Sequence, residues 1–234
     1  MVRSTYAGRH TERRTRDDLA RIAFPRSLVS SLVLASASPR RAELVQLLGF
    51  EFEVDPSDAD EDITPTHPEE MVLRLAERKA RHVADRHPTD VVVGADTVVA
   101  LNGRILGKPR NREAAVDAIR HLSGRTHDVH TGLCVIHDET GGLTAGVTTT
   151  RVTFRELEEA EIHAYVDTDE PYDKAGAYGV QGRAAIFVER IDGCYYNVVG
   201  LPVTNLYQML KPYRTRLRSA DQPSINLLTA LRDA

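Results

Sequence analysis

The chain has 234 residues, 41% apolar and 27% charged, with 30 Lys+Arg against 34 Asp+Glu for a formal net charge of −4. That balance is ordinary for a globular protein and excludes a disordered chain, a collagen-like repeat and a disulfide-stapled miniprotein. Charge is uneven: residues 1–30 carry a net +4 and 211–234 a net +3, which leaves 31–210 at −11, a body too acidic for sequence-independent nucleic-acid binding through phosphate neutralisation.

Two cysteines, Cys134 and Cys194, cannot form a disulfide framework or hold a structural zinc alone, and read as reduced residues of a cytoplasmic protein. No run approaches the ~18 apolar residues of a membrane span. The Arg-rich start has no apolar segment after it, so it does not read as a secretory signal.

In chain order, the pattern begins at Ser31, with a short buried strand over 31–35. Ser38 as N-cap and Pro39 at the first helical position open a helix with Leu44, Val45, Leu47 and Leu48 inward, ended by Gly49. Residues 50–54 alternate with period two and read as a second strand, and an acidic turn-forming stretch, 55–62, follows. Thr66-His67-Pro68-Glu69 fits a capping box opening a helix to about His87, with Val72, Leu75, Ala76 and Val83 on one face. Val91-Val92-Val93 is a buried strand ending at Gly94-Ala95-Asp96-Thr97. Asn102-Gly103 then joins two short strands as a hairpin. A helix over 111–122 stops at Gly124, and two strands in 127–155 surround Glu139-Thr140-Gly141-Gly142. A short helix near 158–167, strands at 185–190 and 195–199 and a last helix from about Pro202 complete one mixed α/β unit over 31–213, with extensions 1–30 and 214–234.

Several segments have the chemistry of an anion site. Ser36, Ser38, Arg40 and Arg41 stand at a strand-to-helix turn, where unpaired N–H groups and guanidinium forks suit phosphate; a capped helix with two solvated arginines is the plain alternative. Asp96 lies just past a buried strand, where ligand crevices of α/β sheets form, and could hold a divalent cation or accept a proton from water. Lys79 falls on the core-facing stripe of its helix, so it either snorkels outward or points into a cleft. Gly103 to Lys108 has the wrong spacing for a Walker A loop, and Lys108 would act as a point charge. His127 and His130 point to opposite faces of their strand and lack metal-site company. Gln181, in a Gly-rich run from Lys174 to Gly182, offers both a donor and an acceptor to a base edge.

Together these segments resemble the Maf family of nucleoside triphosphate pyrophosphatases. The resemblance runs over 31–213 through LASASPRR, Asp60-Glu61, LAERKA, GADTVV, GKP, LSGRTH…TGL, DEPYDKAGAYGVQG and VVGLP. It implies a bilobal mixed sheet with flanking helices, related to inosine triphosphatase-like enzymes, with a cleft between the lobes. The implied reaction takes a nucleoside triphosphate to the monophosphate and pyrophosphate with Mg²⁺ or Mn²⁺. On this resemblance Asp96 is the proton acceptor, and Ser36, Arg41, Glu61, Lys79 and Lys108 bind substrate, with Asp96 and Glu61 as metal ligands. Arg40, Thr97 and Gln181 fall on positions that tune base choice and match the dTTP/UTP branch. A homodimer is compatible with it; no membrane or nucleic-acid partner is expected. Two other classes stay open on residues alone, a non-catalytic nucleotide-binding regulator of septum formation and a nucleic-acid module using the basic ends.

Overall fold

The computed structural model describes residues 30–63, 67–137 and 142–220. The expected Thr66 cap, most of the 139–142 turn, and the ends 1–29 and 221–234 lie outside them. Seven strands form one mixed sheet: β1 (Leu32–Leu34), β2 (Phe52–Val54), β3 (Val91–Leu101), β4 (Arg104–Leu106), β5 (Thr126–His137), β6 (Gly142–Phe154) and β7 (Val188–Asp192), in the order β2-β1-β3-β5-β6-β7 with β4 on β3. β1 runs parallel to β2 and β3, and the remaining pairs are antiparallel. Six α-helices flank the sheet: α1 (Pro39–Gln46), α2 (Pro68–Ala84), α3 (Arg112–Leu122), α4 (Glu159–Val166), α5 (Tyr195–Val199) and α6 (Val203–Leu210).

The period-two alternation of β3 sorts its side chains between two faces. Val92 joins Val33, Cys134 and Ile136 under Ala76, Ala80 and Val83 of α2. On the opposite face, Val91, Val93 and Ala95 pack with Leu133 and Val135 beneath α1 and α6. Further along that face, Val99 and Leu101 pack with Val129, Val152 and Phe154 beneath α3 and α4. One side of a single long sheet thus carries two apolar clusters, bridged by Val188, Ile191 and Val198.

Helix α2 lies unusually close to the sheet because two glycines sit under it. A Cβ on Gly94 would come within 2.2 Å of the Ala76 carbonyl oxygen, and one on Gly132 within 2.2 Å of that of Val72. Any larger residue would push the helix outward. The Asn102-Gly103 turn forms as the sequence predicts, with φ of 52° and 77°, the left-handed pair that this hairpin requires.

Six expectations are corrected. Asp96 does not follow a strand end: it lies inside an eleven-residue strand, because pairing with β5 continues from Val92 to Ala100. What ends there is β1, whose pairing with β3 stops at Leu34–Val93. Tyr195–Val199 is helix α5 and not a strand; its β-branched end is overridden by Asn197, whose buried amide donates to the Val129 carbonyl and Thr150 Oγ1. The run 185–190 divides into a 3₁₀ turn, Arg183–Phe187, and the start of β7. Ser38 occupies the N-cap of α1 without a side-chain bond; instead Ser36 Oγ accepts from its backbone N–H at 3.3 Å. The predicted helix to His87 ends at Ala84, and Leu217, beyond the expected unit, is buried in the core.

Candidate active site

A cleft of about 660 Å³ opens where β1 ends and β3 continues. Its lining brings together Ser36, Arg40, Arg41, Glu61, Lys79, Asp96, Thr97, Lys108 and Gln181. All nine residues singled out in the sequence therefore face one space, although they come from α1, α2, β3 and four loops.

The centre is a lysine between two carboxylates. Lys79 Nζ lies 2.7 Å from Asp96 Oδ1 and 2.7 Å from Glu61 Oε1. Lys79 and Asp96 side chains are each 12% exposed, whereas that of Glu61 is 64% exposed. Lys79 is thus not a snorkelling lysine: the close seat of α2 on Gly94 and Gly132 lowers its ammonium onto β3. Hydrogen bonding from Lys79 holds the Glu61 carboxyl below its ordinary range, against a smaller opposing effect of burial. The other Asp96 oxygen has no hydrogen-bond partner among the described residues.

Across the strand stands Arg41. Its Nε donates to the Gly200 carbonyl at 2.9 Å, Nη1 to Ser36 Oγ at 3.1 Å and Nη2 to Thr97 Oγ1 at 3.0 Å. Burial pulls this guanidinium below its usual range, opposed by the charge of Asp96. Three anchors orient the fork and leave its other N–H groups for a ligand. Gly200 turns its carbonyl inward at φ 126°, a conformation that favours glycine.

At the mouth, Arg40 donates to Asp173 Oδ2 at 3.0 Å, and Lys174 Nζ reaches Asp173 Oδ1 at 2.6 Å. Burial raises the Asp173 carboxyl, but its bonds to Lys174 and Arg40 outweigh this and hold it below its usual range. Lys108 is exposed on the loop after β4, and Gln181 is exposed on the Gly-rich loop. That loop is tied down by Glu170, which accepts from Arg183 N at 2.8 Å. Sequence reasoning did not single out Asp173, Lys174 or Gly200 as site residues; the motifs DEPYDKAGAYGVQG and VVGLP contained them without indicating which faced the cleft.

The two strand histidines do face opposite ways. His127 is buried against Tyr178, with Nε2 2.8 Å from its hydroxyl, and burial pushes its pKa down to about 4. His130 bonds Thr149 at 2.9 Å on the other face. Among the described residues no cluster of three or more His, Cys, Asp or Glu is placed to hold a metal.

A mixed α/β sheet thus gathers a helix N-terminus, a fixed guanidinium and a lysine paired with two carboxylates around one cleft. The family model described as Maf-like protein matches residues 31–213, and the chain belongs to that family. The dTTP/UTP pyrophosphatase of Syntrophus aciditrophicus is 48% identical over 199 residues, 83% of this chain and 96% of that protein. That of Thermococcus kodakarensis is 51% identical over 179 residues, covering 76% and 94%. Among solved structures, the Ham1 protein of Staphylococcus aureus aligns over 87% of this chain and 98% of its own, with 15% identity and a TM-score of 0.42.

Proposed function

We propose that this protein hydrolyses nucleoside triphosphates, with dTTP and UTP as its substrates, to the nucleoside monophosphate and pyrophosphate. The observation that carries the reading is the Glu61–Lys79–Asp96 array facing Arg41 across one cleft, in a chain about half identical to dTTP/UTP pyrophosphatases over most of its length.

In this reading the N-terminus of α1, the Ser36 hydroxyl, Arg41 and Lys108 hold the triphosphate, since N–H groups and cations match phosphate oxygens. The open oxygen of Asp96 orients a water and takes its proton as the water oxygen bonds to the α-phosphorus. The bond from that phosphorus to the bridging oxygen breaks, and pyrophosphate leaves with the electron pair. Arg41 and Lys108 offset the charge that grows on the leaving group. Lys79 holds both carboxylates in place for this step.

The donor set also suits a divalent cation. Mg²⁺ and Mn²⁺ accept one or two carboxylates and complete their shells with phosphate oxygens and water, so Asp96 and Glu61 would hold the ion without a third protein ligand. When bound, it would neutralise charge on the phosphate oxygens. Arg40, Thr97 and Gln181 line the same cleft and would act on base choice. No helix among the described residues is long and apolar enough to cross a membrane, and the two cysteines are unpaired, which supports the cytoplasm as its place.

The test is a panel of nucleoside triphosphates scored for both phosphate products. UTP and dTTP should give the monophosphate and pyrophosphate. Release of the diphosphate and orthophosphate would overturn the assignment.

A further inference from the structure

Between the two apolar clusters, β3 and β5 each place one threonine. Ala95 pairs with Leu133 on one side and Val99 with Val129 on the other, and Thr97 stands directly opposite Thr131 between them. Thr131 is 0% exposed and does not line the cleft, whereas Thr97 does. A hydroxyl buried between apolar clusters is costly unless its hydrogen is bonded, so the destination of each hydrogen can be worked out.

Thr97 Oγ1 accepts from Arg41 Nη2 at 3.0 Å, so that contact takes no hydrogen from it. Its remaining protein neighbours are Thr131 Oγ1 at 2.9 Å and the Gly200 carbonyl oxygen at 3.4 Å. Thr131 has in addition the Asn197 carbonyl oxygen at 3.4 Å. Two arrangements satisfy both hydroxyls. In one, Thr97 donates to Thr131, which donates to Asn197. In the other, Thr131 donates to Thr97, which donates to Gly200. In the first, the hydrogen of Thr97 is held by Thr131 and one of its lone pairs stays open to the cleft; in the second, Arg41 and Thr131 take both lone pairs, and its hydrogen can turn to the cleft as readily as to the Gly200 oxygen. The shell behind Thr131 is itself held: Asn197 is 0% exposed, with its amide on Val129 and Thr150.

Resting on the nucleotide reading above, we infer that Thr131 is a positioning residue for nucleotide recognition. Donating its own hydrogen to the Asn197 carbonyl, it takes up the hydrogen of Thr97 and leaves Thr97 a hydrogen-bond acceptor toward the cleft, beside the Arg41 fork. Phosphate oxygens only accept, so they are turned toward Arg41 and away from Thr97. The group that meets Thr97 is an N–H or O–H of the nucleoside. Two adjacent residues of opposite polarity thereby sort the two ends of the substrate, and the hydroxyl that sets this polarity lies outside the pocket.

The experiment measures affinity for α,β-methylene-UTP and for inorganic triphosphate by titration calorimetry, in the wild type, Thr131→Val and Thr131→Ser. Thr131→Val should bind the nucleotide analogue about tenfold more weakly, the effect of roughly one hydrogen bond, and should keep its triphosphate affinity within about twofold. Thr131→Ser retains the hydroxyl and should match the wild type on both. If the valine variant does not fold, Thr131→Ala removes the same hydroxyl and is read the same way. Unchanged affinity for both ligands, or an equal loss on both, overturns the role assigned to Thr131. A wild type that binds the analogue and releases no pyrophosphate from UTP removes the catalytic reading alone, and the binding ratio still decides Thr131. A wild type that binds neither ligand, or prefers the analogue by less than about twofold, overturns both.

Discussion

At the scale of single residues, charge and reach decide what each group does. Lys79 holds Asp96 by one oxygen, which leaves the other for chemistry. Asp96→Asn keeps the size and the Lys79 contact geometry while removing the charge. Turnover of UTP should fall by roughly 10²–10⁴, the usual contribution of a general base, and the melting temperature should stay close to that of the wild type. Near-native turnover would mean that another group accepts the proton. His127 allows a test of stability. Its pKa is lowered from 6.5 to about 4 by burial, so below pH 6.5 the unfolded chain takes up a proton that the folded chain refuses. Stability is therefore lost as pH falls from 6.5 toward 4, by about 3 kcal/mol in total at ~1.4 kcal/mol per unit. Urea unfolding across this window should show a shallower fall for His127→Gln than for the wild type. Parallel curves would remove the assignment.

At the scale of elements, helix α2 carries the site. Its apolar stripe packs on the sheet through Val72, Leu75, Ala76, Ala80 and Val83, and its polar side grips the acidic stretch. Arg78 Nη1 donates to the Asp60 carbonyl at 2.6 Å, and Arg86, in the turn just past the end of α2, forks onto Asp55 at 2.9 and 3.1 Å. These bonds bring Glu61 to Lys79. The whole arrangement depends on how close the helix sits. Gly132→Ala should lower stability by about 1–3 kcal/mol, the range for overpacking, and should reduce activity further by lifting Lys79 from Asp96. Thermal melting and UTP turnover together check this; a variant with both unchanged would mean that the helix has room to spare.

At the scale of the whole molecule, the folded body reaches past the family match. Ser30 bridges to Leu217 and Phe50 to Ser219; Glu51 N donates to the Arg218 carbonyl at 3.0 Å and Ala220 N to that of Gly49 at 3.0 Å. Leu217 is 7% exposed and packs in the cluster beneath α1 and α6. A chain ending at Tyr213 should be less stable than one ending at Ala220 by about 2–4 kcal/mol, from one buried leucine and its neighbouring hydrogen bonds. Equal unfolding midpoints in urea for the two chains would show that this segment adds nothing to the fold.

Much of this is written locally. The helix over 112–122 starts at Asn111, whose side chain accepts from Ala114 N at 2.8 Å, and the Asn102-Gly103 turn needs only its own dihedral preferences. Capping and turn chemistry act over a few residues, so the sequence shows them directly. The ordered motifs likewise pointed to the nine cleft residues, because each motif keeps its reactive side chain at a fixed place. Pairing and packing over long range were not visible in the same way. Nothing near Asp96 says that β3 continues through it; the partner strand that extends it is more than thirty residues away. The helical state of Tyr195–Val199 depends on Asn197 reaching Val129 and Thr150. Whether Lys79 met water or a carboxylate depended on two glycines beneath its helix, on different strands. The polarity of Thr97 depends on a threonine opposite it that only strand register places there. The sequence by itself determined the local elements and the chemical groups available to the site; the tertiary structure decided which groups meet, because burial and cross-strand pairing join residues that carry no local record of one another.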